Sequence, residues 1–270
     1  MAELFIYSLQ SQPVFARTAV KVLQLRLSVT PEQGAKILQL CQGLQELALK
    51  IITDLPDDQN PLRVPLNSLQ LTTLSLDLAS AFYGLIISLA DLPLLNCIER
   101  LHLTNGWVAM RGLYIGLPKL SQLMHVSFPV QPPGQNNIRT EILVYMLQAF
   151  HRLQVIILWC MPYQESQTIY DFLVERGILD RRVVVFNAAR FTDCAQSVGG
   201  IWRLGEMVVQ WREDRNYGMI LIVVSYQHEI QWYIVMVTLL QIFKPFPPVS
   251  SSFLHYCCNH GCNIKVDDST

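Results

Sequence analysis

The stretch IERLHLTNGW, Ile98–Trp107, contains the spacing that predicts the fold. Its apolar residues Ile98, Leu101 and Leu103 are separated first by two residues and then by one. Strict strand alternation would place Ile98 on the same face as Arg100, and an amphipathic helix would separate its apolar residues by three and four positions. The spacing is therefore typical of a short strand with an adjoining turn.

The same spacing recurs along the first two thirds of the chain. The middle apolar residues of the matches, which we call the anchors, are Leu23, Leu47, Leu74, Leu101, Val126, Ile156 and, more weakly, Val183. Successive anchors lie 24, 27, 27, 25, 30 and 27 residues apart. Periods of this length resemble those of leucine-rich repeats. One such repeat cannot bury its apolar side alone, so we expect the strands to stack side by side in a parallel sheet.

Most segments that connect the strands are predicted to be helical. Thr30, Pro31 and Gln33 form the pattern of a capping box at the start of the first of these helices. Further helices are predicted over Ser80–Asp91, Asn137–Phe150 and Ser166–Gly177, the last with Gly177 as its terminator. The segment Thr53–Ser68 has three prolines among polar residues, which indicates a loop.

These patterns predict an α/β fold: a leucine-rich-repeat-like solenoid with a curved parallel sheet and with helices and loops on its convex side. An ordinary α/β domain would also alternate strands and helices, but the nearly constant period favours the solenoid. We expect a lead-in over 1–19, irregular repeats over 20–190, a closing helix region over 191–217, a hydrophobic segment over 218–243 and a flexible tail over 244–270.

The segment Asp180–Arg215 adds a second pattern, in which Gly199, Gly200, Trp202 and Glu206 follow the last strand. Together with the repeats, it resembles the irregular leucine-rich repeat region of fungal, especially mushroom-type, F-box proteins. The resemblance implies the recognition region of a substrate receptor of ubiquitin ligases, closed by a C-terminal helix over 201–214. Three features depart from that family: no Asn or Cys ladder follows the anchors, the lead-in is too short for an F-box, and the tail does not continue the family pattern.

Composition limits the classes of function. The net charge of −1 gives no electrostatic reason to expect binding to nucleic acid or to an anionic membrane. Because 51% of the residues are apolar and only 15% are charged, an extended core, a partner or a membrane must cover much apolar surface. Cysteines scattered among apolar neighbours indicate reduced core residues, and no signal peptide is recognisable. We therefore expect a cytoplasmic or nuclear protein.

The C-terminal tail allows several interpretations. The segment 218–243 is long enough to cross a bilayer, but polar residues between 227 and 231 interrupt it. It is therefore either a β-hairpin, a membrane span or a segment without an evolved fold. A membrane-anchored repeat protein that uses this segment is the alternative function. The last residues include His255, Cys257, Cys258, His260 and Cys262, which are either a reactive disordered tail or, less in keeping with their spacing, a zinc site.

No catalytic motif is recognisable in the sequence, so we expect a protein that is not an enzyme and that has no cofactor and no metal. His102 and His125 lie on neighbouring strands, and we interpret them as surface polar residues rather than as a catalytic pair.

The predicted partner-binding site is the open, concave strand face, and the predicted partner is another protein. Its candidate residues are Arg26, Lys50, Asp77, Arg100, His102, His125, Val155, Ile157 and Trp159. The last three form a wholly apolar row. This row is either exposed and contacts the partner, or it is covered by the closing helix or the tail.

Overall fold

The computed structural model describes residues 2–53, 59–77, 81, 92–104, 120–130, 140–160, 166–187, 198–215, 223–227 and 231–235. The Cys/His tail lies outside these residues, as does the predicted helix over Ser80–Asp91 apart from Ala81.

Seven parallel strands form one sheet, in which their order follows the chain. The strands are β1 Val22–Leu25, β2 Glu46–Leu49, β3 Thr73–Leu76, β4 Arg100–Leu103, β5 His125–Val130, β6 Val155–Cys160 and β7 Val183–Asn187. Each pairs with a neighbour in the parallel sense. The predicted α/β class and the parallel sheet are therefore confirmed.

Seven α-helices of the described residues precede, connect or follow the strands of this sheet. They are α1 Ala2–Ser11, α2 Pro13–Thr18, α3 Pro31–Leu40, α4 Arg63–Asn67, α5 Thr140–Ala149, α6 Ser166–Glu175 and α7 Val198–Arg215. The capping box of α3 is present, because the Gln33 amide donates to Thr30 Oγ1 over 3.3 Å and the Thr30 amide donates to Gln33 Oε1 over 3.2 Å. The positive φ of Gly177 ends α6, as predicted.

One connection differs from its prediction. The prediction of a loop over Thr53–Ser68 is wrong for residues 63–67, which form α4. Pro65 lies in the first turn of this helix, where its missing N–H removes no intrahelical hydrogen bond. Leu66 in the same helix is fully buried, so the burial of an apolar side chain stabilises a turn that composition alone assigns to a loop.

The register of the strands follows the predicted anchors. Across the first five strands, Leu23, Leu47, Leu74, Leu101 and Val126 lie opposite one another in a single row. Ile156 of β6 lies opposite Val183 of β7 in the same way. All seven anchors are buried. The recurrent spacing in the sequence therefore marks equivalent positions of successive strands.

A repeated hydrogen-bond arrangement joins the starts of neighbouring strands from β1 to β6. The carbonyl oxygen two residues before an anchor accepts two amide protons from the following repeat. Lys21 thus accepts from Gln45 and Glu46, over 2.9 and 3.0 Å, and the carbonyls of Gln45, Thr72, Glu99 and Met124 each accept two amides in the same way. The arrangement depends only on the backbone, which explains how repeats with different side chains keep the same register.

The chain divides into two compact units, residues 1–129 with 139–155 and residues 130–138 with 156–270. The leucine rows of β1–β4 form the core of the first unit, together with buried residues of α3 and α4. In the second unit, Trp202 of α7 is buried. The helix α7 includes the predicted closing helix over 201–214 and begins three residues earlier.

A buried charge joins α7 to the neighbourhood of β7. Arg212 Nη1 donates to the carbonyl oxygens of Arg181 and Val183, each over 2.7 Å. The Arg212 side chain is fully buried, and this burial lowers its pKa to about 10. On the surface, the neighbouring Glu213 pairs with Arg181 over 3.1 Å. The carbonyls at the start of β7 are therefore satisfied by a guanidinium rather than by another strand.

Two further strands lie in the predicted hydrophobic segment 218–243. They are β8 Val223–Gln227 and β9 Gln231–Val235, which pair in the antiparallel sense. This is the arrangement of the hairpin alternative. Among the helices of the described residues, none combines the length and the apolar character that crossing a bilayer requires.

Candidate functional site

The strands place their polar side chains in rows on the face opposite to the anchors, which we call the strand face. The first row contains Val22, Glu46, Thr73, Arg100 and His125, and the second contains Gln24, Ala48, Ser75, His102 and Ser127. The residues that follow the strands form a third row, the edge row, which consists of Arg26, Lys50, Asp77 and Thr104. The first unit therefore carries six of the predicted site residues on its strand face or edge row.

Backbone hydrogen bonds hold the edge row in place. The Lys50 amide donates to the Leu25 carbonyl over 2.8 Å, and the Thr104 amide donates to the Leu76 carbonyl over 3.0 Å. The ladder therefore continues one residue beyond the strands. Side chains in this row project from a fixed backbone, and such preorganisation favours recognition because less freedom is lost on binding.

Much of the strand face is not exposed, in contrast to the prediction of an open surface. His102 and His125 are buried, as are Thr73, Ser75 and Ser127 of the same strands. The interpretation of the two histidines as surface residues is therefore wrong. Polar residues on a strand are ordinarily assigned to the solvent side, and here that assignment fails because the face is covered in the folded chain.

The apolar row of β6 is covered as well. Val155 and Ile157 are 1% and 0% exposed, and Trp159 is half-buried. The prediction of an exposed row that contacts the partner is therefore wrong for Val155 and Ile157, and the alternative of a covered row applies to them. The register pairs Ile157 with Val184 and Trp159 with Phe186 of β7. Removing these apolar side chains from water is favourable in itself and does not require a partner.

The accessible part of the predicted site lies in the first strands and in the edge row. Arg26 is exposed, whereas Lys50, Asp77, Arg100 and Thr104 are half-buried. These residues include both signs of charge. Another molecule can therefore contact four predicted site residues of the first unit, Arg26, Lys50, Asp77 and Arg100, together with Thr104, without displacing part of the fold.

A buried hydrogen bond links the second row across two strands. His102 Nδ1 and Ser127 Oγ lie 3.1 Å apart on β4 and β5. Burial, together with the nearby charge of Lys50, lowers the pKa of His102 to about 4. Because Ser127 is 0% exposed, a substrate could not reach its hydroxyl group in this conformation. The pair therefore stabilises the strand face rather than forming an accessible nucleophile and base.

The His102–Ser127 pair was not predicted, although a signal for it exists in the sequence. We compared His102 with His125, but these residues occupy different rows of the strand face. Ser127 follows its anchor by one position, as His102 does, so the repeat register itself places the two residues opposite each other. Comparing equivalent positions of neighbouring repeats would have identified the pair.

We expect the free energy of unfolding to decrease as the pH is lowered, because His102 is buried as the neutral imidazole. Its pKa is about 4 in the folded chain and about 6.5 in an unfolded one. The unfolded state therefore binds more protons between these values, and about 3 kcal/mol of stability is lost as the pH falls from about 6.5 to about 4. Urea unfolding of the wild type and of His102→Gln between about pH 7 and about pH 4 measures this difference.

The matched control is His151→Gln, because His151 is exposed. This variant is expected to keep the pH dependence of the wild type, whereas His102→Gln is expected to flatten it. Equal slopes for wild type and His102→Gln would show that His102 does not titrate as a buried group.

Among the described residues, no three His, Cys, Asp or Glu side chains are grouped so that they could hold a metal ion. A scan against protein-family models finds no match to this chain. A search of curated proteins finds no similar sequence.

Proposed function

We propose that this chain is a non-enzymatic scaffold that binds another protein through the strand face of a leucine-rich-repeat-like solenoid. The observation that supports this proposal is the register, in which five predicted anchors, from Leu23 to Val126, lie opposite one another on β1–β5 and Ile156 lies opposite Val183 on β6 and β7. Stacked repeats of this kind present equivalent side chains at regular intervals, which suits the recognition of an extended or broad protein surface. The resemblance to F-box-type receptors suggests that the bound protein is a substrate of ubiquitin ligation.

Within this proposal, the edge row is the part that contacts the partner. Arg26 and Lys50 provide positive charge, and Asp77 provides negative charge on the next strand. Mixed charges on a rigid backbone select a partner with the complementary order of charges and disfavour others. Ser75, His102 and Ser127 of the second row are buried and polar, so they hold the face in shape rather than making the contact.

The partner can be identified by site-specific photocrosslinking in cells. A photoreactive residue in place of Thr104, in the edge row, is expected to capture the partner. The same residue in place of Lys36, which is exposed on α3, is the position control. The captured protein is then purified, and its affinity for the intact chain is measured by calorimetry.

We expect the variant Arg26→Glu/Lys50→Glu to weaken that affinity about tenfold or more, because like charges placed opposite each other in an interface cost several kcal/mol. The control Lys36→Glu/Arg203→Glu reverses two exposed positive charges elsewhere, on α3 and α7, and is expected to bind as the wild type does. Equal weakening by both variants, or equal capture from both crosslinking positions, would refute the edge row as the binding surface.

A further inference from the structure

Exposed apolar side chains are concentrated at the start of the chain. Among the described residues, thirteen large apolar side chains are exposed, and seven of them lie between residues 4 and 27. We call these seven the N-terminal patch: Leu4, Phe5, Tyr7, Val14, Phe15, Val22 and Leu27. Single exposed apolar residues are ordinary on a protein surface, but a concentration of them marks a site of interaction.

The helices that carry the patch are packed firmly on the fold. Ile6 and Leu9 bury the opposite face of α1, which contacts α3, and Gln33 Nε2 of α3 donates to Glu3 Oε1 over 2.7 Å. Ala16 anchors α2 and is fully buried. At the end of α2, the Arg17 carbonyl lies so close to Gly43 that a Cβ there would overlap it. The exposure of the patch is therefore a property of the packed structure and not of a frayed end.

The charges around the patch have one predominant sign. Residues 2–28 contain the basic residues Arg17, Lys21 and Arg26 and the single acidic residue Glu3, although the whole chain has a net charge of −1. All three basic side chains are exposed. A second copy of the chain would bring these positive charges together, which is unfavourable, whereas an anionic surface would attract them.

The most exposed side chains of the patch protrude from the surface. Leu4, Tyr7 and Val14 are 75%, 72% and 74% exposed, so their side chains protrude with few neighbours beside them. Protein interfaces gain affinity where such side chains enter matching pockets. A lipid surface needs no matching pocket, because the hydrocarbon adapts to any protruding apolar group.

We propose that the N-terminal patch docks on an anionic lipid surface. The apolar side chains of α1 and α2 enter the boundary between head groups and acyl chains, and Arg17 and Lys21 contact the lipid phosphates and carboxylates. This docking uses neither the edge row nor the segment 218–243, so it is independent of the proposed partner binding. It would hold the scaffold at a membrane while the edge row stays available.

Co-sedimentation of the full-length protein with vesicles tests the proposal. Vesicles of phosphatidylcholine alone are compared with vesicles that also contain phosphatidylserine. We expect binding to the anionic vesicles that decreases with added salt. The variant Leu4→Ser/Val14→Ser is expected to lower the partition coefficient about tenfold or more, because two protruding apolar groups no longer enter the lipid.

The matched control is Val64→Ser/Leu179→Ser, which removes the same two residue types at exposed positions outside the patch and is expected to bind as the wild type does. Arg17→Glu is expected to weaken binding to the anionic vesicles. The proposal is overturned if the wild type does not sediment with anionic vesicles, or if both double variants lose binding equally. It is also overturned if Leu4→Ser/Val14→Ser instead abolishes a concentration-dependent dimer of the wild type in the absence of lipid.

Discussion

Leu101→Ala is expected to lower the free energy of unfolding by about 2–5 kcal/mol, the range for removing a fully buried leucine side chain. Leu101 is fully buried on β4, between Leu74 of β3 and Val126 of β5 in the anchor row. The backbone ladder fixes the spacing on both sides, so the neighbouring strands cannot close the cavity. Chemical denaturation followed by circular dichroism measures the effect.

The control for this prediction is Leu27→Ala. Leu27 is exposed in the turn after β1, so the same chemical change is expected to alter stability by less than about 0.5 kcal/mol. If the two variants were equally stable, Leu101 would not belong to a packed core. Burial in the row of anchors would then not contribute to the stability of the fold.

Arg212→Ala is expected to lower the free energy of unfolding by about 3–5 kcal/mol. The substitution removes two charge-assisted hydrogen bonds, each worth about 1.5–3 kcal/mol, and leaves the carbonyl oxygens of Arg181 and Val183 without this donor. It also empties the volume of a fully buried side chain. The opposing effect is the desolvation of the guanidinium, which lowers its pKa to about 10 and is relieved by the substitution.

Thermal and chemical unfolding of Arg212→Ala decide which effect is larger. The control is Arg203→Ala, since Arg203 is exposed on the same helix, and we expect it to change stability little. A third variant, Arg212→Lys, keeps the charge but loses the planar fork of donors and is expected to fall between the two. A wild-type-like Arg212→Ala would mean that desolvation offsets the hydrogen bonds, and that the buried charge does not stabilise α7 on the fold.

The sequence predicts the strands and their register well, because both depend on where apolar side chains recur. An anchor must be buried between two neighbours, so its position is visible as a leucine or valine at a regular interval. Thr30 and Gln33 predict the start of α3 for a similar reason, since capping depends on residues next to each other in the chain.

Burial of the strand face was not predicted, because it depends on parts of the chain that are distant in sequence. His102, Ser127 and their neighbours are polar, and a rule based on single residue types assigns them to the solvent. One signal was available in β6, Val155–Cys160, whose residues are apolar on both faces. Strands of parallel sheets that are buried on both sides read as continuous apolar runs, so this strand argued against an open face.

Arg212 was missed for a different reason. It lies in the run WREDR, Trp211–Arg215, whose charges are typical of an exposed helix end. Its neighbour Glu213 does reach the surface and pairs with Arg181 there. Only the packing of α7 shows that one charge of the run turns inward to the carbonyls near β7.

The carbonyl that accepts two amides at the starts of β1–β5 bears on how such a chain can grow. Five successive junctions, from β1 to β6, offer the same backbone acceptor and donors, and the connections between anchors vary from 24 to 30 residues. Duplicating or deleting one whole repeat in the gene would thus leave a backbone acceptor facing its matching donors on either side of the change. The length of the array, and with it the span of the surface that it displays, can vary by such recombination without any new junction having to arise.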